Sequence, residues 1–158
     1  MNPTDANKMP EEQPQGALAT SLTHLLHRAC QVADSVFNEE AGKTGLTTRQ
    51  FAVLTAVASQ RDVSQTGLVQ ATGIDRSTVA EIVKRLLRRG LIRRKRTRLD
   101  ARAYAVRLTE EGEALLNEAV PAATKAEERL RAAFDGADDV LAVTNALTRL
   151  VASYPSIK

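Results

Sequence analysis

The segment from Ser64 to Gly90 constrains the fold of this chain most strongly. Four of its apolar residues recur at i, i+3, i+4 and i+7, the spacing that places side chains on one face of a helix: Val79, Ile82, Val83 and Leu86. Asp75 is suited to cap the N-terminus of this helix, and Gly90 is suited to the position just beyond its C-terminus. The pattern therefore predicts a helix with one buried face between Asp75 and Gly90.

A shorter helix is predicted immediately before this one. Ser64 is placed to cap it, and Gly73 supplies a tight turn after it. We expect three apolar side chains of the shorter helix to face inward, namely those of Leu68, Val69 and Ala71. Two helices joined by a short turn that contains Gly are typical of the helix-turn-helix motif.

The charge of the chain is concentrated around the second helix. The 158 residues have a net charge of only +3, yet residues 76–107 contain 12 of the 22 Lys and Arg and 2 of the 19 Asp and Glu. This window therefore carries +10, and the rest of the chain, with 10 basic and 17 acidic residues, carries −7. A merely solvated face would mix both signs, so a patch of one sign indicates nucleic-acid binding.

Beyond the second helix the pattern changes from helix to strand. Tyr104, Val106 and Leu108 alternate with Ala103, Ala105 and Arg107, which predicts a half-buried strand. Leu91–Lys95 is expected to pair with it, and Arg96–Arg102 is then an arginine-rich loop. Such a β-hairpin wing is suited to a narrow, strongly negative minor groove. Arg61–Val63 is a candidate for a third short strand beside the hairpin.

The outer parts of the chain are expected to form a tail and long helices. Residues 1–16 contain three Pro and hardly any apolar residues, which is typical of a disordered tail. Residues 17–46 and 109–158 are rich in Ala and Leu at helical spacing, and residues 47–108 contain the winged helix-turn-helix. The fold class predicted is mainly α with a small β-hairpin wing, and we expect the outer helices to form a dimer interface.

Three motifs in order resemble the MarR family of bacterial transcriptional regulators. They are RGLIRR (Arg89–Arg94), the D-x-R of the wing (Asp100–Arg102) and LTEEG (Leu108–Gly112), and a looser similarity extends from about Leu18 to Val151. The resemblance implies that Arg102 enters the minor groove and that Asp100 orients it by a salt bridge. It also implies a homodimer with its two recognition helices on successive major-groove faces.

Double-stranded DNA is the expected partner of the basic segment. The residues expected to bind it are Arg76, Ser77, Thr78, Glu81, Lys84, Arg85, Arg98, Asp100 and Arg102. Which of them read bases and which clamp phosphates stays open, and Glu81 could accept from a cytosine amino group or repel incorrect registers. The two-fold symmetry of a dimer predicts a pseudo-palindromic site with half-sites about 10 bp apart.

The family resemblance further implies a small-molecule effector. His24–Phe37 and Leu46–Leu54 resemble members that control aromatic-acid catabolism, whose effectors are aromatic carboxylates or acyl-CoA thioesters. Four polar residues are expected to contact such an anion: His27, Arg28, Gln31 and Arg49. The alternative is that Arg28 and Arg49 instead form ion pairs within the protein, with Asp34, Glu39 or Glu40.

Other chemistry has less support in the sequence. His27, Cys30 and Asp34 share one face of a helix, but a single helix rarely supplies a closed tetrahedral set, so we expect no metal and no cofactor. Cys30 has no second Cys to resolve a sulfenic acid, and we expect it to be a small buried residue. No catalytic motif is present, so the chain is not expected to be an enzyme.

The sequence also bears on location and on the overall function. No run approaches the ~20 apolar residues of a membrane span, and the polar N-terminus is unlike a signal peptide, so we expect a cytoplasmic protein. The favoured function is a homodimeric MarR-type repressor released from its operator by a small anionic ligand. Two alternatives remain open: a thiol-oxidation switch that uses Cys30, and a non-sensing protein that binds DNA alone or with a protein partner.

Overall fold

The computed structural model describes residues 18–60, 62–96 and 104–154. The helices are α1 (Leu22–Ala41), α2 (Thr48–Ser59), α3 (Gln65–Thr72), α4 (Arg76–Arg88), α5 (Glu110–Arg131) and α6 (Ala137–Ser153). The strands are β1 (Val63–Ser64), β2 (Ile92–Arg96) and β3 (Tyr104–Leu108). The chain divides into two compact units, residues 1–33 and residues 34–158. The fold class expected from the sequence, mainly helical with a small sheet, is confirmed.

The two helices of the helix-turn-helix begin at the predicted caps. The Ser64 hydroxyl accepts from the Gly67 N–H at 3.1 Å at the start of α3, and the Asp75 carboxylate accepts from the Thr78 N–H at 2.9 Å at the start of α4. Leu68 is fully buried, but Ala71 is exposed, and the prediction that Ala71 faces inward is wrong. The helical spacing would allow both positions on one side, but Ala71 lies in the last turn of α3, where no described residue covers it.

The C-terminus of α4 is closed by a glycine in the left-handed region. Gly90 has φ +71, its N–H donates to the Leu87 carbonyl at 3.1 Å, and the Leu91 N–H donates to the Leu86 carbonyl at 3.0 Å. These two bonds satisfy carbonyls that have no partner within the helix. Leu86 and Leu91 are both buried, so the motif also turns the chain back toward the core.

The three strands form one antiparallel sheet in the order β1-β3-β2. Ile92 pairs with Leu108 and Arg96 with Tyr104, so the predicted hairpin is confirmed, and Val63 of the expected third strand lies in β1. The predicted alternation of burial along β3 is partly wrong, because Ala105 is buried and Tyr104 is exposed. The small Ala105 lies on the central strand and is covered from both sides, whereas Tyr104 lies at the loop end of the hairpin.

Most buried side chains belong to one core, which is built around the helix-turn-helix. The largest fully buried ones are Val53, Leu54, Leu68, Val79, Val83 and Leu86. Leu116 and Ala119 from the first half of α5 pack into the same core. A smaller cluster of Phe37, Ala41 and Ala126 lies at the other end of α5. Residues 47–108, with this core, are called the winged-helix lobe below.

The start of α5 is fastened to the end of α4 by the LTEEG motif. The Thr109 hydroxyl donates to the Gly90 carbonyl at 2.6 Å and accepts from the Gly112 N–H at 3.1 Å. The Thr109 N–H donates to the Leu91 carbonyl at 3.1 Å. A Cβ at Gly112 would lie 1.9 Å from the Leu91 carbonyl oxygen, so only glycine fits this contact.

Helix α6 differs from the lobe because none of its residues is buried. Apolar residues nevertheless repeat at helical spacing along one side of it, a stripe that consists of Val140, Val143, Leu147, Leu150, Val151 and, just beyond the helix, Tyr154. In the other compact unit, the first part of α1 likewise carries Leu22 and Leu25 in exposed positions. Within the described residues, no helix is both long and apolar enough to cross a membrane.

Candidate nucleic-acid interface

Helix α4 has one buried face and one exposed basic face, as its sequence predicts. Val79, Val83 and Leu86 are fully buried against the lobe. The residues expected to bind DNA on this helix are exposed, except the half-buried Thr78; they are Arg76, Ser77, Thr78, Glu81, Lys84 and Arg85. Because the buried stripe holds the helix against the core, these side chains are presented to solvent along its length.

Polar bonds organise the N-terminus of α4 around Asp75. Its Oδ1 atom accepts from the Thr78 N–H at 2.9 Å and from the Ser77 hydroxyl at 2.5 Å. The Ser77 hydroxyl, followed by the hydroxyl and the backbone N–H of Thr78, holds the pKa of Asp75 well below its usual value of 3.8. Asp75 is therefore an ionised carboxylate that only accepts hydrogen bonds at neutral pH.

Two arginines tie α4 to other parts of its own unit. Arg76 donates to the Thr66 hydroxyl of α3 at 3.5 Å. Arg89, just after α4, donates to the carbonyls of Gly45 at 2.9 Å and Thr44 at 3.3 Å. Arg89 therefore joins the end of α4 to the loop before α2.

The base of the wing is held by an acidic residue that the sequence analysis did not single out for this role. Asp62, at φ +61, accepts hydrogen bonds from the Nε and Nη2 atoms of the Arg107 guanidinium, and the Lys95 ammonium lies 3.8 Å away. The hydrogen bond from Arg107 is the largest cause that lowers the pKa of Asp62, and the same bond raises the pKa of Arg107. In the sequence, the available signal for this role was the presence of Asp62 shortly before a strongly basic segment.

Further along the hairpin, the Arg94 guanidinium lies over the ring of Tyr104, 5.9 Å from its centroid, which is within the range of a cation–π interaction. The three wing residues expected to contact DNA, Arg98, Asp100 and Arg102, lie outside the described residues. Their roles therefore stay predictions.

A cleft of about 600 Å³ lies beside the exposed face of α4. Its lining comes from the end of α1, the start of α2 and α4, and consists of Asp34, Asn38, Thr47, Thr48, Arg49, Gln50, Ser77, Thr78, Glu81, Ile82 and Arg85. The Thr48 Oγ1 atom is buried and has no hydrogen-bond partner among the described residues. Four of the residues expected to bind DNA therefore also line a cavity large enough for a small molecule.

The residues expected to bind an effector are found in two places. Arg49 lines the cleft. His27, Arg28 and Gln31 lie on α1 in the other compact unit, where Arg28 donates to the Gln31 side-chain oxygen at 3.2 Å. Sequence reasoning missed Thr48, which no motif distinguishes from other helix-start threonines.

Arg49 forms no ion pair with a described residue, so the alternative that it pairs with Asp34, Glu39 or Glu40 is wrong, whereas the pairing of Arg28 with these residues stays a prediction. Glu39 and Glu40 instead bind Arg129 of α5, at 2.8 Å and 2.7 Å. Hydrogen bonds from Arg129 to Glu40, and then to Glu39, raise the pKa of the arginine. Arg49 thus lines the cleft without an ion-pair partner among the described residues, and Asp34 and Glu81 line the same cleft.

Cys30 is exposed, which contradicts the expectation of a buried residue. Its neighbours Ala29 and Val32 are exposed as well. The apolar character of this stretch of α1 therefore does not mean that its side chains are buried within a single chain. Within the described ranges, no group of three or more His, Cys, Asp and Glu side chains is arranged to hold a metal ion.

A helix-turn-helix with an exposed basic second helix, followed by a β-hairpin, defines a winged-helix DNA-binding protein. A family model described as the MarR family matches residues 44–103. The transcriptional repressor NicR of Pseudomonas putida is 37% identical over 105 residues, which are 66% of this chain and 66% of NicR. The transcriptional regulator HosA of Escherichia coli O111:H- is 34% identical over 125 residues, which are 79% of this chain and 91% of HosA.

Solved structures agree with these sequence similarities. Bordetella bronchiseptica BpsR, whose structure concerns the regulation of its DNA binding by 6-hydroxynicotinic acid, is 31% identical with a TM-score of 0.78 over 84% of this chain and 94% of BpsR. The transcriptional repressor CouR, bound to a 23-mer DNA duplex, is 30% identical with a TM-score of 0.77 over 89% of this chain and 99% of CouR. This chain belongs to the MarR family of transcriptional regulators, in agreement with the expectation that it is not an enzyme.

Proposed function

We propose that this regulator is a homodimeric repressor, released from a pseudo-palindromic operator by a small anionic ligand. Residues 47–108 form its DNA-binding lobe, and residues 17–46 and 109–158 supply its dimer interface. The proposed DNA contacts on α4 are Arg76, Ser77, Thr78, Glu81, Lys84 and Arg85, and those in the wing are Arg98, Asp100 and Arg102. In the wing, Arg102 enters the minor groove and Asp100 orients it.

One observation carries the ligand-released mechanism. Ser77, Thr78, Glu81 and Arg85 of the DNA-binding helix are also part of the wall of the 600 Å³ cleft. A molecule that fills the cleft therefore contacts the helix that binds DNA. Its binding energy can favour an arrangement of the two α4 helices that no longer matches successive major grooves. Bound DNA then lowers the affinity of the cleft for the ligand by the same factor by which the ligand lowers the affinity for DNA.

The chemistry of the cleft favours an anion. Arg49 and Arg85 line it together with the carboxylates of Asp34 and Glu81, and Arg49 has no ion pair among the described residues. The cleft also receives the N-terminus of α2, where the helix dipole stabilises negative charge. Thr48 offers a buried hydroxyl that still lacks a partner. A ligand with a carboxylate and a neighbouring hydroxyl or carbonyl group could pair with Arg49 and also form a hydrogen bond with the Thr48 hydroxyl.

The volume of the cleft favours a free aromatic carboxylate over a CoA thioester. A cavity of about 600 Å³ lies in the middle of the range that holds drug-sized molecules. A CoA thioester has several times as many non-hydrogen atoms as a benzoate, so most of it would lie outside. BpsR, with its 6-hydroxynicotinic acid, is a relative whose DNA binding responds to an aromatic acid.

The proposed dimer rests on the uncovered apolar surface of α6. Leu147 is 43% exposed and Val151 is 73% exposed, although both lie on the apolar stripe of that helix. A contiguous apolar surface of this kind usually marks an association site. A second copy of the chain is the partner that a two-fold symmetric DNA site requires.

Fluorescence anisotropy with a labelled duplex from upstream of the gene tests the proposal. The titrations are run with excess competitor DNA, with and without a panel of aromatic acids and their CoA thioesters. We expect competitor-resistant binding that an aromatic acid abolishes. With about 6–10 phosphates contacted, affinity should also fall roughly 10³-fold or more from about 50 to 200 mM salt.

A matched pair of variants separates the ligand site from the DNA site. Arg49→Gln should bind the duplex normally but need at least roughly tenfold more effector, because a charge-assisted hydrogen bond is lost. Lys43→Gln removes another exposed positive charge near the start of α2 and should respond like the wild type. Equal responses from both variants would remove Arg49 from the effector site.

The two alternatives predict different results in the same assay. A thiol-switched regulator releases DNA on peroxide treatment and loses that response in a Cys30→Ser variant. A non-sensing protein binds its duplex no more tightly than competitor, or is unaffected by every compound. Either result would contradict the ligand-released repressor, while the MarR fold itself would stand.

A further inference from the structure

The hydroxyl of Ser77 occupies a position from which it can read a base. Ser77 is the second residue of α4 and its side chain is exposed. The N-terminal residues of the second helix of a helix-turn-helix are the ones that meet base edges in the major groove. What such a hydroxyl can recognise depends on the direction of its single proton.

That proton is directed into the protein. The Ser77 hydroxyl lies 2.5 Å from Oδ1 of Asp75, an ionised carboxylate that can only accept. Asp75 is itself held in place as the cap of α4 by the Thr78 N–H at 2.9 Å. A hydrogen bond to a charged acceptor is roughly twice as strong as one between neutral groups, so Ser77 gives up its proton to Asp75 before DNA arrives. Only its lone pairs face outward.

From this geometry we infer that Ser77 is a specificity-determining residue that accepts a hydrogen bond from the exocyclic amino group of an adenine or a cytosine. The inference rests on the proposed operator binding. In the major groove only adenine N6 and cytosine N4 donate, whereas guanine N7 and O6 and thymine O4 accept. Phosphate oxygens also only accept, so Ser77 is not a phosphate contact.

The rest of the exposed face of α4 makes this assignment distinctive. Arg76, Lys84 and Arg85 carry only donors, which suit phosphates and guanine. Ser77 and Glu81 are four residues apart, on the same side of the helix, and both present acceptors. Glu81 lies 3.9 Å from Lys84, and both side chains are well exposed, so this weak pair does not mask the carboxylate.

A selection from a randomised duplex pool tests the inference without knowledge of the operator. Wild type, Ser77→Ala and Ser77→Thr are each used to enrich bound sequences. We expect the wild type to require adenine or cytosine at one pair of symmetry-related positions. Ser77→Ala should accept any base there and bind the best site roughly 3–10-fold more weakly, as expected for one hydrogen bond. Ser77→Thr keeps the hydroxyl and should keep the preference.

Base analogues then identify the atom that is read. The selected base is replaced by its counterpart without the exocyclic amino group, purine for adenine or 2-pyrimidinone for cytosine. Wild type and Ser77→Thr should lose roughly 3–10-fold in affinity, and Ser77→Ala should bind both duplexes equally. Lys84→Gln is the control for a phosphate contact, and it should weaken binding to all sequences and reduce the salt dependence, which Ser77→Ala leaves unchanged.

The outcomes separate this inference from the proposed function. An unchanged base preference in Ser77→Ala, or a loss that is uniform over all sequences, overturns the role of Ser77 and leaves the operator proposal intact. Equal sensitivity of wild type and Ser77→Ala to the missing amino group overturns it as well. If the wild type enriches no sequence at all, specific operator binding fails and this inference fails with it.

Discussion

The winged-helix lobe and α6 use similar apolar residues in opposite ways. In the lobe, Leu54, Val79 and Leu86 are completely buried within one chain. In α6 a comparable set repeats at helical spacing, yet no residue of the helix is buried. The two helical patterns look alike in the sequence, but only the apolar residues of the lobe are covered by other parts of the same chain.

This difference separates folding from assembly. A covered core stabilises the lobe by itself, whereas an uncovered apolar stripe lowers its free energy only when a partner removes it from water. Substitutions in the lobe should therefore change the stability of each chain, and substitutions on the α6 stripe should change association. Leu54→Ala, Gly112→Ala and Leu147→Glu test that division.

Leu54→Ala should destabilise the protein by about 2–5 kcal/mol, because it deletes a fully buried side chain and leaves a cavity. Urea unfolding followed by circular dichroism measures the loss. Leu141→Ala is the matched control, since Leu141 is exposed and lies away from the α6 stripe. Similar losses of stability in the two variants would contradict the contrast between the buried core of the lobe and the exposed residues of α6.

Gly112→Ala should lower the free energy of unfolding by an amount near the upper end of the ~1–3 kcal/mol typical of overpacking. The reason is that its Cβ would lie 1.9 Å from the Leu91 carbonyl oxygen. The same urea titration measures it. Gly42→Ala is the control, because nothing lies within 4 Å of a Cβ at Gly42 and its φ is not in the left-handed region. A Gly112→Ala protein as stable as the control would show that the backbone around Leu91 and Gly112 can move apart at little cost in free energy.

Leu147→Glu should weaken the proposed dimer at least tenfold, about 1.4 kcal/mol or more, by placing a charge at the centre of the α6 stripe. Sedimentation equilibrium over a range of concentrations measures the change. Leu141→Glu introduces the same charge on another side of α6 and should leave association unchanged. Dimers of equal stability in both variants would move the interface away from this stripe.

Asp75→Asn should have the smallest effect, visible as a change in pH dependence. Because the folded-state pKa of Asp75 is depressed, its charge contributes stability that is complete above the unfolded value near 3.8 and is lost as the pH falls toward the folded value. Asn caps helices equally well but does not titrate. The stability advantage of the wild type in urea unfolding should therefore shrink as the pH falls below about 4, and a constant difference would argue against an ionised Asp75 cap.

The sequence patterns succeeded where a structural feature depends on residues close together in the chain. The Ser64 cap, the Asp75 cap and the pairing of β2 with β3 all follow from local spacing and turn chemistry, and all are present. Predictions of burial were less reliable. Ala71, Cys30 and Tyr104 are exposed although their positions suggested the interior, because an apolar pattern shows which side chains share a face but not whether anything covers that face.

The features that the sequence patterns did not predict arise from contacts between distant residues. Arg107 and Asp62 are 45 positions apart, as are Arg89 and Thr44, and the cleft joins residue 34 to residue 85. Helical periodicity and charge are properties of short stretches, and they specified a winged helix with a basic reading face. Which ion pairs form, where a cavity remains and which apolar stripe stays uncovered depend on how helices pack in three dimensions, and no spacing within one helix contains that information.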